Sequence, residues 1–305
     1  MTQVFRRLRE ALPRLANADR RLDEIKINQG RILSELHRSK PGSRLSDYEF
    51  KVFSQWGEDG ILQHLPAHLD IAHRNFIEFG VEDFYESNCR FLMMKDHWQG
   101  FVIDGSPANI ARLQCSYFYW MYQLDAVASF ITRDNVASLL EQSGFGTEPG
   151  LLSVDVDGVD YHLVEALAHM RAAIMVVEYN GLFGHQRSVT VPYDPHFQRR
   201  KAHESNLYLG ASLPAFVRLL NGRGYALVGV NSMGSNAFFV RRELLNDRVR
   251  EVSVDECPQG PVFREARDGK GKLTLRSAQA SRSRIGRLPL TDLETGRQIV
   301  VDDLF

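Results

Sequence analysis

Two apolar segments of the chain each carry an acidic side chain close to their end. FIEFG occupies residues 76–80 and GFVID occupies residues 100–104. In a doubly wound α/β sheet, this arrangement places a tight turn under an adenosine ligand and a carboxylate beside its ribose hydroxyls. Gly80 has no Cβ, which would let the backbone approach such a ligand. A buried strand–helix–strand crossover without a ligand produces the same pattern, so both interpretations stay open here.

The residues after Gly80 indicate which adenosine ligand would fit. A pyrophosphate binds at a helix N-terminus lined with glycines, as in the GxGxxG motif. Glu82 and Phe84 stand where further glycines would fall. A phosphate-free ligand such as S-adenosylmethionine therefore fits the sequence better.

A cluster of acidic residues follows the apolar segment LLSV at residues 151–154. Asp155, Asp157 and Asp160 are so close together in the sequence that their charges repel unless a cation or a ligand ammonium group offsets them. A helix N-terminus would account for about one of the three. We therefore interpret this strand end as a functional site.

The next predicted strand ends in Glu178 and Asn180. Because neighbouring strand ends meet at one edge of a parallel sheet, both side chains are expected near Asp155. Two carboxylates and an amide oxygen form a hard-oxygen set suited to Mg²⁺. Asp155, Glu178 and Asn180 are thus candidate metal ligands, with hydrogen bonding to a substrate as the competing interpretation.

Two further polar segments are candidates. SQWGEDG (54–60) opens a helix ahead of the first strand, where its amide and carboxylates could meet the amino-acid end of a ligand. Acids that favour the helix dipole are the alternative. A long excursion, residues 181–210, is expected to shape a substrate pocket together with the C-terminal extension. Any single histidine among His185, His196 and His203 is most often an ordinary surface residue.

The elements that must position these residues alternate between strand-like and helical segments. The predicted strands are 76–80, 100–104, 121–125, 151–156, 173–178, 225–230 and 236–241, with helices between them. Continuous apolar strands alternating with helices predict a parallel sheet covered on both faces. The last two strands are joined by NSMGS, which is too short for a crossover helix and predicts a hairpin. We predict an α/β fold with a doubly wound, mostly parallel sheet and a terminal antiparallel hairpin, Rossmann-like and typical of class I methyltransferases.

The N-terminal segment has a seven-residue period over residues 1–38. Its a and d positions are Leu8, Leu15, Leu22, Gln29 and Leu36, alternating with Val4, Ala11, Ala18, Ile25 and Ile32. This pattern predicts a coiled-coil helix for self-association. A helix packed on its own domain, or lying on a membrane surface, is the alternative. A linker (39–45), the ligand-binding domain (46–245) and a polar C-terminal extension (246–305) follow.

Composition limits the class of protein. The 305 residues carry a formal net charge of −1, which argues against general nucleic-acid binding. The three cysteines are widely spaced and fit neither a disulfide framework nor a CxxC metal site. We find no transmembrane segment and no apolar signal core, so we expect a cytoplasmic protein, with a membrane-peripheral location as the alternative.

Six segments together resemble the FkbM-like branch of class I S-adenosylmethionine methyltransferases. They are FSQWGEDGIL (53–62), FIEFGVEDFYESNCRFL (76–92), LLSVDVDGVDY (151–161), VVEYN (176–180), SVTVPYDPHF (188–197) and NSMGSNAFFV (231–240), and they follow the family order. Many relatives are encoded in clusters that make surface polysaccharides or decorate natural products. The resemblance implies an O-methyltransferase acting on a sugar, a surface glycan or a natural-product precursor.

The resemblance also implies roles for individual residues. The cofactor-binding residues would be Gln55, Glu78, Gly80, Ser87 and Asn88 at the methionine end, Asp104 with Gly105 and Ser106 at the ribose, and Asp125 with Ala126 at the adenine. Asp155 would lie beside the transferring methyl group. The chain departs from the wider class by lacking the glycines after Gly80, and it has Asp157 where many relatives have Glu.

Methyl transfer requires that the acceptor hydroxyl lose its proton, because a hydroxyl is a poor nucleophile. Asp155, Asp157 and Glu178 are the candidate catalytic residues: Asp157 or a histidine would take the proton, or a metal on the acidic cluster would lower the pKa of the hydroxyl. Two rival interpretations remain. Asp155-Val-Asp157 is also the DxD pattern of a metal-dependent glycosyltransferase, and a non-catalytic coiled-coil assembly protein would bind ligand without turnover.

Overall fold

The computed structural model describes residues 2–42, 44–258, 260–262, 266–274 and 276–305, with side chains from residue 18 onward. Within them the helices are α1 (Thr2–Arg38), α2 (Glu58–His68), α3 (Arg90–Asp96), α4 (Pro107–Gln114), α5 (Tyr117–Met121), α6 (Val136–Glu141), α7 (Asp160–Ala166), α8 (Arg199–Ala202), α9 (Leu213–Asn221) and α10 (Ala278–Ile285). The strands are β1 (Asn75–Phe79), β2 (Gln99–Asp104), β3 (Leu124–Ala128), β4 (Leu151–Val154), β5 (Ile174–Glu178), β6 (Val189–Thr190), β7 (Tyr225–Val230), β8 (Asn236–Arg241), β9 (Pro289–Asp292) and β10 (Gln298–Val300).

The main sheet has the strand order β3-β2-β1-β4-β5-β8-β7. Strands β1 to β5 are parallel, whereas β8 runs antiparallel between β5 and β7. Side chains of each strand alternate between two cores, so that Ile77 and Phe79 pack on one face and Phe76 on the other. This topology confirms the predicted fold class, including the terminal antiparallel hairpin.

One predicted strand was wrong in its position. The strand expected at 121–125 is β3, which begins at Leu124, because the preceding segment YFYWM forms helix α5. The aromatic composition of that segment is typical of a strand. In the helix, however, Phe118 is fully buried and packs with its ring 4.1 Å from the guanidinium carbon of Arg90. This tertiary contact outweighs the local preference.

Helix α1 packs on the domain through the face opposite to the predicted coiled-coil seam. Asp23, Ile27 and Gly30 are buried, and a Cβ at Gly30 would lie 2.4 Å from the Phe91 ring. The seam residues Leu22, Ile25, Ile32 and Leu36 are 55–63% exposed. The seam side chains Val4, Leu8, Ala11 and Leu15 lie outside the described residues. The coiled coil itself therefore stays a prediction.

The C-terminal extension and the long excursion form one unit. Strand β6 of the excursion pairs with β9 of the extension, and β9 pairs with β10. A third apolar cluster, which includes Val189, Ile285 and Leu290, lies beneath this small sheet. The predicted extension (246–305) thus packs against the excursion of the predicted ligand-binding domain. Within the described residues, no helix is both long enough and apolar enough to cross a bilayer.

Candidate functional site

The site lies where the strand order reverses, between the carboxyl ends of β1 and β4. Open α/β sheets bind ligands at such a point. The two turns that follow these strands touch, because a Cβ at Gly80 would lie 1.6 Å from the carbonyl oxygen of Asp155. Gly80 is thus required by a backbone contact within the protein. The contact joins the predicted cofactor turn to the acidic cluster.

The turn after β1 has a left-handed backbone at alternate positions, although only one of them is glycine. The φ angle is +72° at Gly80, +48° at Glu82 and +64° at Phe84. Bulky side chains rarely adopt this region. Phe84 is fully buried, with Phe76 and Phe118 as ring neighbours, and this packing holds it there. The turn therefore keeps a left-handed backbone at Glu82 and Phe84, although neither residue is glycine.

Glu78 is buried and holds the segment that leads into α3. Its carboxylate accepts hydrogen bonds from Ser87 Oγ (2.6 Å), Asn88 N (2.8 Å) and Cys89 N (3.3 Å). Burial raises its pKa, whereas these donors lower it. Asn88 also donates to Ser153 Oγ on β4. The structure therefore brings Glu78, Ser87 and Asn88 together as predicted, with Glu78 shaping the segment.

The SQWGEDG turn is tied to the β7–β8 hairpin, a link that the sequence did not indicate. Glu58 is fully buried and accepts from Trp56 N, Gly57 N, Asn231 Nδ2 and Asn236 Nδ2 at 2.7–3.0 Å. Gln55, predicted to bind cofactor, is exposed beside this turn. In the structure, Glu58 accepts hydrogen bonds from groups of the protein itself. It therefore neither serves only the helix dipole nor has its oxygens free for a ligand.

Asp104 lies at the carboxyl end of β2, facing the turn after β1. Its Oδ2 accepts from Glu82 N (2.8 Å), and its Oδ1 accepts from Ser106 N (2.8 Å) and Asn109 Nδ2 (3.1 Å). Gly105 is exposed, and Ser106 caps α4 through Asn109 N. The predicted ribose-binding group is therefore assembled at one edge of the sheet.

The two residues predicted to contact adenine lie inside a strand. Asp125 pairs with Phe101 and Ala126 with Val102, whereas Ala128 pairs with Asp104. At about 3.3 Å per residue, Asp125 is roughly 10 Å from the edge where Asp104 lies. The cause is the displaced start of β3. Phe130, 45% exposed and in contact range of Gly105, lies nearer to that edge.

Asp155 and Glu178 form a pair of carboxyl groups at the ends of β4 and β5. A carboxylate oxygen of Asp155 lies within 4.8 Å of one of Glu178. Burial and then the repulsion between neighbouring carboxyls raise both pKa values well above their usual range. Within the described residues, Glu178 Oε2 is buried without a hydrogen-bond partner. Two neighbouring acids with raised pKa values at the ends of strands make this pair a candidate functional group.

The rest of the acidic cluster differs from the predicted metal set. One oxygen each from Asp155, Asp157 and Glu178 lie within 4.8 Å of one another. Asn180 is committed elsewhere: its Nδ2 donates to two carbonyls at 2.9 and 3.0 Å, and its Oδ1 accepts from Leu182 N. Asp157 is exposed and forms an ion pair with Arg199. In the structure, the candidate metal ligands are therefore Asp155, Asp157 and Glu178, and Asn180 is not among them.

A cavity of about 240 Å³ opens beside Glu178. It is lined by Glu178, Tyr179, Asn180 and Gly234, by six residues of the excursion (Gly181, Leu182, Arg199, Asn206, Leu207 and Leu209) and by six of the C-terminal extension (Pro261, Val262, Arg276, Ser277, Ala278 and Ser281). Both segments that were expected to shape a pocket thus contribute to it. The residues of the extension gave no chemical signal in the sequence, because they line the cavity only after the chain has folded back.

Among the described residues that line this cavity there is no histidine. His203 instead has its ring nitrogen Nδ1 2.7 Å from Ser205 Oγ. Burial lowers the pKa values of His185 and His203, which favours their neutral forms. The carboxyl pair is therefore the better candidate for moving a proton at this site.

No family model and no curated protein matches the chain. Solved structures that resemble it include the CurJ carbon methyltransferase (11% identity, 60% of this chain, TM-score 0.36) and an O-methyltransferase family protein from Burkholderia thailandensis (8%, 56%, 0.38). This chain spans about half of their lengths, 52% and 51%. An O-methyltransferase from Bacillus cereus in complex with SAH shares 12% identity over 54% of this chain and 72% of its own, with a TM-score of 0.35. Similarity at this level establishes neither an activity nor a ligand.

Proposed function

We propose that the chain is an S-adenosylmethionine-dependent O-methyltransferase. The observation that carries this proposal is the position of the Asp155–Glu178 pair. Asp155 touches the turn at Gly80 through its backbone carbonyl, and Glu178 lines the cavity and has one buried oxygen without a hydrogen-bond partner. A proton acceptor thus lies between a candidate cofactor turn and a candidate acceptor cavity.

The residues at the edge of the sheet fit the proposed cofactor. Gly80 is exposed at the turn, and the Asp104 carboxylate, which accepts three hydrogen bonds, keeps one acceptor site on Oδ2 for a ribose hydroxyl. The segment with Ser87 and Asn88 would face the amino-acid end. Phe130, with Gly105 beside it, would contact the adenine in place of Asp125 and Ala126. S-adenosylmethionine supplies, when bound, an electrophilic methyl group.

The chain itself must hold the acceptor and remove its proton. Glu178 lines the cavity and is the candidate base, and the Asp155 carboxyl beside it disfavours a second negative charge, so that one of the two carboxyls would stay neutral. Asp157 is held by Arg199, so it is less available for this role. Positioned proton transfer of this kind typically contributes 10²–10⁴-fold to a rate, on the order of 3–5 kcal/mol.

Mg²⁺ at the acidic cluster is the alternative way to activate the hydroxyl. Oxygens of Asp155, Asp157 and Glu178 are close enough to share one ion, which would also relieve their repulsion. The ion would lower the pKa of a bound hydroxyl. Turnover that disappears in EDTA and returns with Mg²⁺ would support this route. Turnover unchanged by EDTA would support the carboxyl pair acting alone.

The acceptor is proposed to be a hydroxyl of a sugar, a surface glycan or a natural-product precursor. This choice follows the FkbM-like resemblance, and the cavity of about 240 Å³ suits a small acceptor or one sugar unit of a larger one. Polar groups from Ser277, Ser281 and Arg276 line the side formed by the extension, where they could bind hydroxyls of the acceptor.

Self-association through α1 is proposed as well. The seam residues are exposed on the face that does not pack on the domain, so a second copy could pair there without disturbing the docked face. Sedimentation of Leu22→Glu/Ile32→Glu should show a smaller species than the unaltered protein. The surface substitution Asn28→Glu is the matched control. Equal masses for all three proteins would contradict self-association through this seam.

Calorimetric titration with S-adenosylhomocysteine tests the main proposal. We expect binding that is lost in Asp104→Ala and kept in Asp125→Ala, since Asp125 lies inside β3, away from the proposed site. Binding that is lost in both would contradict the placement of the adenosine. Heat from a nucleotide sugar with Mg²⁺, and none from S-adenosylhomocysteine, would instead support a glycosyltransferase. Ligand binding without turnover in an acceptor screen would support a non-catalytic assembly protein.

A further inference from the structure

We propose that Asp23, on helix α1, is a positioning residue for the amino-acid end of the cofactor. It acts through Arg90, whose side chain holds the segment 85–89 that precedes α3. The inference rests on the proposed function, because that segment is the one expected to face the methionine end. It makes the N-terminal helix part of the ligand site.

Arg90 is the largest fully buried side chain in the described residues, with only 1% of its surface exposed. Its Nη2 donates to Asp23 Oδ2 at 2.5 Å, and Asp23 is itself 5% exposed. Tyr117 on α5 donates its hydroxyl to the same oxygen at 2.6 Å. A buried charge requires such a partner, because an unpaired ion in the interior destabilises a protein strongly.

The guanidinium is also enclosed by aromatic rings. Its carbon lies 4.0 Å from the centre of the Phe53 ring and 4.1 Å from that of Phe118, with Tyr85 at 5.1 Å. These distances are within the range of cation–π attraction. Phe53 belongs to the turn before α2, and its carbonyl accepts from Ser87 N at 3.3 Å. Arg90 therefore fixes two loops that border the proposed ligand.

Arg90 holds the segment 85–89 at two points, once through its side chain and once through its backbone. Its side-chain Nη1 donates to the Tyr85 carbonyl at 3.1 Å, and its backbone N–H donates to Ser87 Oγ at 3.1 Å. The same hydroxyl donates to Glu78. A displaced Arg90 would release the Tyr85 carbonyl and disturb Ser87. Only the residues at the proposed methionine end would then move, while Asp104 on β2 would stay in place.

Helix α1 is therefore more than an attachment for self-association. Asp23 and Ile27 belong to the face that packs on the domain, not to the coiled-coil seam. Removal of residues 1–38 would leave Arg90 without its acid partner. Such a truncation would change ligand binding and oligomeric state together, so point substitutions are needed to separate them.

The experiment compares two ligands that differ only in the amino-acid end. S-adenosylhomocysteine carries that end, whereas 5′-methylthioadenosine lacks it. We expect Asp23→Asn to weaken S-adenosylhomocysteine binding by about tenfold or more, the typical effect of losing a charged hydrogen bond. Binding of methylthioadenosine should stay within about twofold, since Asp104 and its surroundings do not change. Asp19→Asn, an exposed acid one turn earlier, is the matched control.

The outcomes separate this inference from the proposed function. If the unaltered protein binds neither ligand, the proposed function fails. If Asp23→Asn weakens both ligands equally, or neither, the positioning role is overturned although the proposed function stands. Should Asp23→Asn fail to fold, Asp23→Leu/Arg90→Met replaces the buried pair by apolar side chains. This double variant should bind methylthioadenosine normally and S-adenosylhomocysteine weakly, and normal binding of both ligands would overturn the inference.

Discussion

Two groups of carboxyl side chains border the same edge of the sheet, and they differ in how their oxygens are satisfied. Glu58, Glu78 and Asp104 on the proposed cofactor side each accept at least three hydrogen bonds from nearby donors. Asp155 and Glu178 on the proposed acceptor side have carboxylate oxygens within 4.8 Å of each other, and Glu178 Oε2 is buried without a partner within the described residues. Residue type is therefore a poor guide to role at this edge.

The difference teaches where chemistry is to be expected. A carboxylate whose lone pairs are occupied by backbone N–H groups fixes a loop, and its removal leaves those donors unsatisfied. Two half-buried carboxyls that repel each other store unfavourable energy, and perturbed pKa values of this kind cluster at functional sites. The first group should thus determine stability, and the second should determine turnover.

The largest expected effect is on turnover in Glu178→Gln. Without the proton-accepting oxygen, turnover of an acceptor should fall by about 10²–10⁴-fold. S-adenosylhomocysteine affinity should not change, because the residue lies on the acceptor side. Methyl transfer measured with radiolabelled S-adenosylmethionine, with the exposed Glu141→Gln as control, tests this. A variant that retains more than about a tenth of the activity would exclude Glu178 as the base.

A smaller effect, on stability, is expected in Glu78→Ala. This change leaves Ser87 Oγ and Asn88 N without their acceptor, removes one of the two acceptors of Cys89 N, and should lower the free energy of unfolding by about 2–4 kcal/mol. Glu178→Ala should lower it far less, or raise it, because repulsion with Asp155 is relieved. Urea unfolding of both variants measures the contrast. Equal losses would remove the distinction between the two groups.

The pH dependence of stability sharpens the same contrast. The raised pKa values of Asp155 and Glu178 mean that their favourable contribution is complete below the unfolded pKa of about 4 and is lost as the pH rises through the folded values. We therefore expect the Tm to fall with rising pH, and to fall less in Glu178→Gln. Asp59 and Asp160, whose pKa values burial raises to about 6, are common to both proteins. If the Tm of the unaltered protein and that of Glu178→Gln change with pH in parallel, the electrostatic coupling between Asp155 and Glu178 is contradicted.

Much of the fold could be predicted from the sequence, because the strands are continuous apolar segments bounded by polar turns. The strands at 225–230 and 236–241 were predicted with the bounds that the structure has. Strand β3 begins three residues later than predicted, because YFYWM, with the composition of a strand, forms helix α5 and buries Phe118 against Arg90. Local preference carries no information about that contact.

The candidate site was predictable only in part, for a related reason. Asp155 and Glu178 follow neighbouring strands, so their proximity could be inferred from the order of the chain. Asn180 was placed in the same set, but whether its amide is free depends on the carbonyls of the excursion. The roles of Glu58 and Asp23 depend on partners that are distant in the sequence, Asn231 and Arg90. No spacing rule indicates such pairs.

The smallest expected effect is that of Glu82→Gly in the turn after β1, where Glu82 and Phe84 adopt a conformation that favours glycine. Glu82→Gly should raise the free energy of unfolding by about 1 kcal/mol, because a left-handed residue without Cβ is not strained. Phe84→Gly should lower it by about 3 kcal/mol or more, because the buried ring and its contacts with Phe76 and Phe118 are lost. Chemical unfolding of both variants tests the pair. If Glu82→Gly also lowers the free energy of unfolding, the side chain of Glu82 stabilises the turn by more than its backbone strain destabilises it.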